Sequence, residues 1–194
     1  MDEKARELLK NHPLRHAAEE FSLADCAYRK MVKISVGDFV EYEKAWREFL
    51  HHIERVWVKT QAVVYDMPNW KKIESEVLQL RKHDSLLAYL QQARNVDEHS
   101  ISDVVKEWEP CFRAKQKCDR VELTWKEWDR PLLPVKNRGV VYSPPTNHLG
   151  NDIECLKHKG KAEPRVIAEL ALKFYCDFLN KVSVEVVGNK WKTI

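Results

Sequence analysis

The hydrophobic pattern that follows Asp38 constrains the fold of this chain more than any other feature. From Phe39 to Val64 the apolar and aromatic residues recur at steps of three and four, which is the period of one face of an α-helix. Asp38 comes directly before this run and is a residue type that caps helix N-termini. A long helix with one apolar stripe must bury that stripe against other elements, so the sequence predicts a helical domain. The stripe consists of Phe39, Tyr42, Trp46, Phe49, Leu50, Ile53, Trp57, Thr60 and Val64.

A second helical run follows a break at Pro68-Asn69. Its apolar positions begin at Trp70 and continue past Asp84 to Ala93 with helical spacing. Because the connection to the long helix is short, we expect the two helices to pack antiparallel. Towards the N-terminus, a further run is interrupted near Pro13 and predicts one or two more helices. Its apolar residues are Leu8, Leu9, Ala17, Phe21, Ala24, Tyr28, Met31 and Val32.

The pattern changes from helical to alternating in the second half of the chain. A short extra helical turn is predicted for residues 101–108. Beyond it, Val121, Leu123 and Trp125 alternate with polar residues, as in a half-buried strand. We expect this strand to form a hairpin with a second one between Leu133 and Tyr142, ahead of a loop rich in proline.

The C-terminal part returns to helical spacing. Pro164 suits the first turn of a helix, and the alternation from Val182 to Val187 predicts one more strand. Taken together, the patterns predict a mainly α (α+β) fold in a single domain. It comprises an antiparallel helical bundle over residues 1–110, a small strand and loop element over 119–150, and a C-terminal helix over 163–182 that packs on the bundle.

The charge balance and the hydropathy limit the possible partners. The 194 residues include 33 basic and 30 acidic ones, so no broad cationic surface is expected and any contact with RNA must be local. No apolar stretch reaches the roughly 18 residues that a membrane-spanning helix needs. Met1 is followed by charged residues rather than by an apolar leader. We therefore expect a cytoplasmic protein with no membrane partner.

The cysteines do not resemble a disulfide framework. Their number is odd and they are widely dispersed, which fits a reducing compartment and predicts buried free thiols. A Cys155-x-x-His158 pair lacks the further ligands of a zinc site, so we expect neither a structural metal nor a cofactor. The five cysteines are Cys26, Cys111, Cys118, Cys155 and Cys176.

The segment Arg94-Asn95-Val96-Asp97-Glu98-His99 carries the residue types of a phosphodiester-cleaving site. The guanidinium of Arg94 can hold a phosphodiester bidentately and stabilise the charge of a pentacoordinate transition state. The imidazole of His99 can take a proton from a ribose 2′-hydroxyl or give one to the departing 5′-oxygen. Asn95 can bind phosphate or orient the imidazole, while Asp97 and Glu98 can pair with the arginine or cap local backbone. RNA could thus be cut without a metal.

The spacing of Arg94 and His99 prevents a simple site on one helix face. Five positions at about 100° per residue place them roughly 140° apart around a helix axis. They converge if the helix ends between them, if the arginine bends round, or if a second copy of the helix lies across a two-fold axis. The last arrangement makes a homodimer part of the site.

The segment from Leu90 to His99 resembles the signature of the HEPN superfamily, in which an arginine is followed by a polar residue and, after four to six intervening positions, by a histidine. Its setting at the end of an amphipathic helix is similar as well. The resemblance implies an α-helical bundle, a homodimer with the motif helices at its interface, and metal-independent RNA cleavage that leaves a cyclic phosphate and a 5′-hydroxyl. Many members are toxins or defence effectors, which implies a possible antitoxin partner. The predicted strands of residues 119–150 are not part of the usual signature.

Two other interpretations of the segment stay open. In the first, Arg94 and Asp97 form an ordinary ion pair along the helix and His99 only ends it. In the second, the chain keeps the HEPN-like fold and dimer but serves as a non-catalytic binding module of the nucleotide or antitoxin type.

Further polar residues are candidates for substrate binding. His51 and Glu54 are neighbours on the long helix and can line the same cleft, although tandem histidines beside an apolar stripe are also typical of a solvated face. Arg138 and His148 fall in predicted turns, which suit both substrate contacts and turn chemistry.

A basic patch and several aromatic residues accompany the predicted strands. Lys115, Lys117 and Arg120 form the basic patch. If exposed, nearby aromatic rings could stack on unpaired bases, although core or hairpin packing is their more common use. These aromatic residues are Trp125, Trp128 and Tyr142.

Overall fold

The computed structural model of the chain describes residues 12–34, 38–99, 112–117, 120–125, 132, 135–137, 140–145 and 163–188. For residues 96–99, 112–117, 120–125 and 135–137 it describes the backbone alone. The described residues form five helices and two separate antiparallel hairpins. The helices are α1 (Arg15–Lys33), α2 (Phe39–Val64), α3 (Trp70–His83), α4 (Ser85–His99) and α5 (Pro164–Glu185). The strands are β1 (Phe112–Lys117), β2 (Arg120–Trp125), β3 (Val135–Asn137) and β4 (Val140–Tyr142).

Helix α2 follows the sequence prediction closely. The carboxylate of Asp38 accepts a hydrogen bond from the backbone N–H of Glu41 at 3.2 Å and caps the helix. The helix ends at Val64, and Asn69 then adopts the left-handed conformation (φ 66°) before α3 begins. Of the nine predicted stripe residues, eight are buried and Phe39 is partly buried. The apolar stripe is therefore the side of α2 that faces the core.

Polar side chains show that α2 and α3 pack antiparallel, as predicted. Gln61 donates to Glu74 at 2.7 Å, and Arg81 donates to Glu54 at 2.6 Å. Residue numbers fall along α2 as they rise along α3, which defines an antiparallel pair.

The run from Trp70 to Ala93 forms two helices rather than one. Asp84 has extended backbone geometry (ψ 124°), which ends α3. Its carboxylate accepts hydrogen bonds from the backbone N–H groups of Leu86 and Leu87 at 3.0 and 3.1 Å. The same residue therefore ends one helix and caps the next.

Helix α5 packs against α1 and α2, and 11 of its 22 residues are buried. It begins at Pro164, as predicted. The predicted strand from Val182 to Val187 is wrong, because α5 continues to Glu185 and Val182 is fully buried on its core side. Helical packing outweighs the local β-propensity of this segment.

Aromatic rings join α2, α3 and α5 in the core. Trp57 lies 5.7 Å from Trp70 and 5.6 Å from Phe178, measured between ring centroids. Phe174 stacks on Phe178 at 6.5 Å. Edge and offset contacts at such distances add to the stabilisation that comes from burying the rings.

The strands confirm the insertion before the C-terminal helix but correct its pairing. β2 pairs with β1, residues 112–117, and not with the segment from Leu133 to Tyr142. That segment forms a hairpin of its own from β3 and β4. The strand element therefore begins at Phe112, seven residues before the predicted boundary at 119. Leu8, Leu9 and the predicted turn at 101–108 lie outside the described residues.

The fold class is confirmed as mainly α, a helical bundle with small hairpins inserted before its last helix. Of the cysteines, the described ones are free, as expected, but Cys26 is exposed and Cys176 is half-buried, so the prediction of buried thiols is wrong for both. Within the described ranges, no helix combines the length and the apolar character needed to cross a bilayer.

Candidate functional site

The motif segment lies at the C-terminal end of α4. This helix runs from Ser85 to His99 without interruption. Of the three ways in which Arg94 and His99 could converge, an end of the helix between them is therefore excluded. With regular helical geometry, position 99 lies about 140° from Arg94 and about 180° from the buried Leu90.

Arg94 lies at the border of the core side of α4. Leu86, Tyr89, Leu90 and Ala93 define that side, and none of them is more than 5% exposed. Arg94 follows next to it and is half-buried.

Asn95 contacts Arg94 directly. The guanidinium Nη1 donates to the side-chain oxygen of Asn95 at 3.4 Å, a long hydrogen bond. The predicted roles of Asn95, in binding phosphate or in orienting the imidazole, stay predictions. The side chains of Asp97, Glu98 and His99 lie outside the described part of the structure.

Other parts of the same chain cover most of α4. Every residue from Leu86 to Asn95 is buried or half-buried. Helices α2 and α3 and the β3–β4 hairpin all approach α4, with Cα atoms within 8 Å. These ten residues therefore leave little of the α4 surface free.

Glu54 belongs to a buried polar network and does not pair with His51. It accepts a hydrogen bond from Arg81, which also donates to the hydroxyl of Tyr175 at 2.7 Å. The guanidinium lies 5.3 Å from the centroid of the Trp57 ring. Burial raises the pKa of Tyr175 to about 12. Burial alone would lower the pKa of Arg81, but Tyr175 and Glu54 outweigh it and raise that pKa.

His51 is half-buried, and its ring meets the edge of the His52 ring at 5.3 Å between centroids. The antiparallel pairing of α2 with α3 places His51 level with Asp84, at the beginning of α4. Arg94 lies ten residues further along α4, which is about 15 Å along a helix axis. By this register, His51 lies level with the residue that precedes α4, whereas the motif lies at the C-terminal end of that helix.

A buried carboxylate, that of Glu20, joins α1 to α2. Glu20 is 9% exposed and binds His52 Nδ1 at 2.7 Å and Arg55 Nε at 2.6 Å. Burial alone would raise the pKa of Glu20, but the hydrogen bonds from His52 and Arg55 outweigh it and lower that pKa. Sequence reasoning missed this cluster. The signal was present, because Glu20 falls at helical spacing between the buried Ala17 and Ala24.

Other predicted candidates are placed only in part. Arg138, His148 and Trp128 lie outside the described residues, and so does the Cys155-His158 pair. Tyr142 is half-buried and packs against the core, which fits packing better than base stacking. Among the described residues, no group of three or more His, Cys, Asp or Glu residues is arranged to hold a metal ion.

An open groove of about 920 Å³ separates α3 from α5. Val77, Leu80 and Phe174 contribute apolar lining, and Glu76 on α3 forms an ion pair with Lys181 on α5 at 2.6 Å. Its rim carries both signs of charge, and neither Arg94 nor Asn95 is among the described lining residues.

Comparison of this chain with family models, with curated proteins and with solved structures gave no significant match.

Proposed function

We propose that this chain is a HEPN-type endoribonuclease whose site forms only when two copies meet at the C-terminal ends of their α4 helices. The observation that carries the proposal is the unbroken course of α4 from Ser85 to His99. On such a helix Arg94 and His99 lie on different sides, so one straight helix does not bring them together. A two-fold axis beside the helix end would place Arg94 of one copy near His99 of the other.

Each residue has a defined role in the proposed reaction. Arg94 binds the scissile phosphate and stabilises the charge on its equatorial oxygens. His99 takes the proton from the ribose 2′-hydroxyl as O2′ attacks phosphorus and the bond from phosphorus to O5′ breaks. The departing 5′-oxygen takes a proton from water, and the imidazolium returns its own to solvent. The products are a 2′,3′-cyclic phosphate and a 5′-hydroxyl.

The contact between Arg94 and Asn95 supports this assignment. Arginine has several rotatable bonds, and holding its guanidinium plane in place reduces the entropy lost when phosphate binds. Arg94 is also half-buried. This should strengthen its attraction to phosphate, because charge interactions are stronger where water is excluded. Asn95 is therefore a positioning residue in this proposal.

The direct test is cleavage of structured RNA by the full chain in the presence of EDTA. We expect cleavage by the parent protein and a loss of at least about 100-fold in both Arg94→Ala and His99→Ala. Arg15→Ala and His16→Ala are matched controls, because both residues lie at the exposed start of α1, where each pairs with Glu19. These controls should cleave like the parent. No cleavage by a folded, dimeric parent would favour the non-catalytic binding module instead.

A further inference from the structure

The β1–β2 hairpin separates charged from apolar residues completely. Its register pairs Arg113 with Thr124, Lys115 with Glu122, and Lys117 with Arg120. Residues directly opposite each other in an antiparallel pair share one face of the sheet, and alternate residues along a strand share it too. One face therefore holds Arg113, Lys115, Lys117, Arg120, Glu122 and Thr124. The other holds Phe112, Ala114, Gln116, Val121, Leu123 and Trp125.

This arrangement corrects the predicted basic patch in two ways. It adds Arg113 to Lys115, Lys117 and Arg120, and it places Trp125 at a position on the opposite face. The position of the tryptophan is thus not on the same face as the basic positions.

The basic face concentrates the charge of the chain. Its four basic residues and single acidic one leave three positive charges in excess, equal to the net charge of +3 for all 194 residues. Outside this face, the charges of the chain balance. This basic face is small, which agrees with the expectation that any contact with RNA is local.

The pairing of Lys117 with Arg120 is a second indication of a ligand. Like charges directly opposite each other destabilise an antiparallel pair. A phosphate group beside both positions would convert this repulsion into two attractive contacts. Successive basic positions on β1 are about 6.8 Å apart along the strand, so three of them form a linear array suited to an extended chain of phosphates.

From this register we infer that the charged face of the β1–β2 hairpin binds the phosphate backbone of single-stranded RNA without reading its sequence. The choice of RNA among polyanions rests on the proposed ribonuclease function. The grouping of basic residues on one face does not, because it follows from the strand register alone. In this role the hairpin holds the substrate while the α4 motif cleaves it.

The test is a salt titration of RNA binding with the full-length His99→Ala chain, which removes the proposed general base. The probe is a fluorescent single-stranded oligonucleotide of mixed sequence. Each lost phosphate contact should lower the slope of log affinity against log salt by about 0.7. We expect the triple variant Arg113→Gln, Lys115→Gln, Lys117→Gln to lower that slope by about 2 and to weaken binding more than about tenfold. Glu122→Gln should strengthen binding.

The matched control removes the same charge elsewhere. Lys71, Lys72 and Lys82 are exposed on α3, and their triple exchange to Gln should leave the slope close to that of the parent. An equal loss in both triple variants, or no loss in the hairpin variant, would overturn the inference. So would binding of the parent to anionic phosphatidylglycerol vesicles but not to RNA.

Failure of this inference can be distinguished from failure of the proposed function. Binding that depends on the hairpin in a chain whose parent never cleaves RNA would reject the ribonuclease and keep the RNA-binding face. Cleavage that depends on Arg94 and His99, with binding unchanged by the hairpin variant, would keep the ribonuclease and reject the RNA-binding face.

Discussion

Arg81 Nη2 lies 2.6 Å from Glu54 Oε1, and this ion pair joins α3 to α2 inside the core. Arg81 is 5% exposed and also donates to Tyr175 on α5. One guanidinium thus connects three helices, three residues before the cap of α4.

Removing the guanidinium should therefore destabilise the fold strongly. Arg81→Met leaves the half-buried Glu54 carboxylate without its cation, and we expect a loss of about 3 kcal/mol in the free energy of unfolding. Urea denaturation measures this loss. Lys173→Met is the control, since its ion pair with Glu169 is half exposed and should contribute less than about 1 kcal/mol. Equal effects of the two substitutions would contradict the assigned burial.

The stability of the α1–α2 contact should depend on pH through Glu20. Its pKa is lowered in the folded chain, so its contribution is present above the unfolded value and is lost as the pH falls through the folded one. We expect the free energy of unfolding to decline below about pH 4.5 and Glu20→Gln to flatten that decline. Denaturation series at several pH values measure it. A decline that is just as steep in Glu20→Gln would show that other carboxylates cause it.

Asp84 should control the beginning of α4. Asp84→Ala removes the acceptor for the backbone N–H groups of Leu86 and Leu87, at a cost of at least about 1 kcal/mol. Asp84→Asn keeps an acceptor oxygen and should lose less. Thermal unfolding compares the two variants. If the amide variant is no better than the alanine variant, the capping role is wrong.

The core side of α4 next to the motif should be sensitive to both loss and gain of volume. Leu90→Ala creates a cavity and should cost about 2 to 5 kcal/mol. Ala93 is fully buried, so Ala93→Leu should cost about 1 to 3 kcal/mol through overpacking. Ala88→Leu is the control, because Ala88 is half-buried on the same helix. It should lower the free energy of unfolding less than Ala93→Leu does. Similar stability of the two leucine variants would contradict the close packing at Ala93.

The sequence was most informative where one residue acts locally and strongly. Asp38, Pro68-Asn69 and Pro164 mark helix ends in the structure as they do in the pattern. Asp84 carried the same type of signal within the second run. Its role in ending α3 became visible only in the backbone geometry, because the apolar spacing continues across it.

Strand pairing was harder to predict because alternation identifies a strand without identifying its partner. β2 pairs with the strand before it, across a connection of two residues, which has a low entropic cost of loop closure. The basic and polar residues of β1 alternate with few large apolar ones, so its strand character was weak. The segment from Val182 to Val187 shows the opposite error, since its β-branched residues suggested a strand although packing makes it helical.

For the candidate site, the sequence predicted Arg94, Asn95 and His99, and the structure adds one long hydrogen bond between the neighbours Arg94 and Asn95. It did not anticipate that α4 would be covered along most of its length. α4 is covered because α2, α3 and the β3–β4 hairpin pack against it. The local sequence of α4 does not show which other elements pack there.

If the site combines Arg94 of one copy with His99 of another, as proposed, mixing two inactive variants should restore RNA cleavage. Arg94→Ala and His99→Ala proteins, each inactive alone, are combined in equal amounts, exchanged and assayed for RNA cleavage in EDTA. Half of the dimers should then be mixed, and each mixed dimer holds one intact site of two, so we predict about a quarter of the parent activity. No recovery of activity, despite demonstrated exchange of subunits, would contradict a site shared between copies.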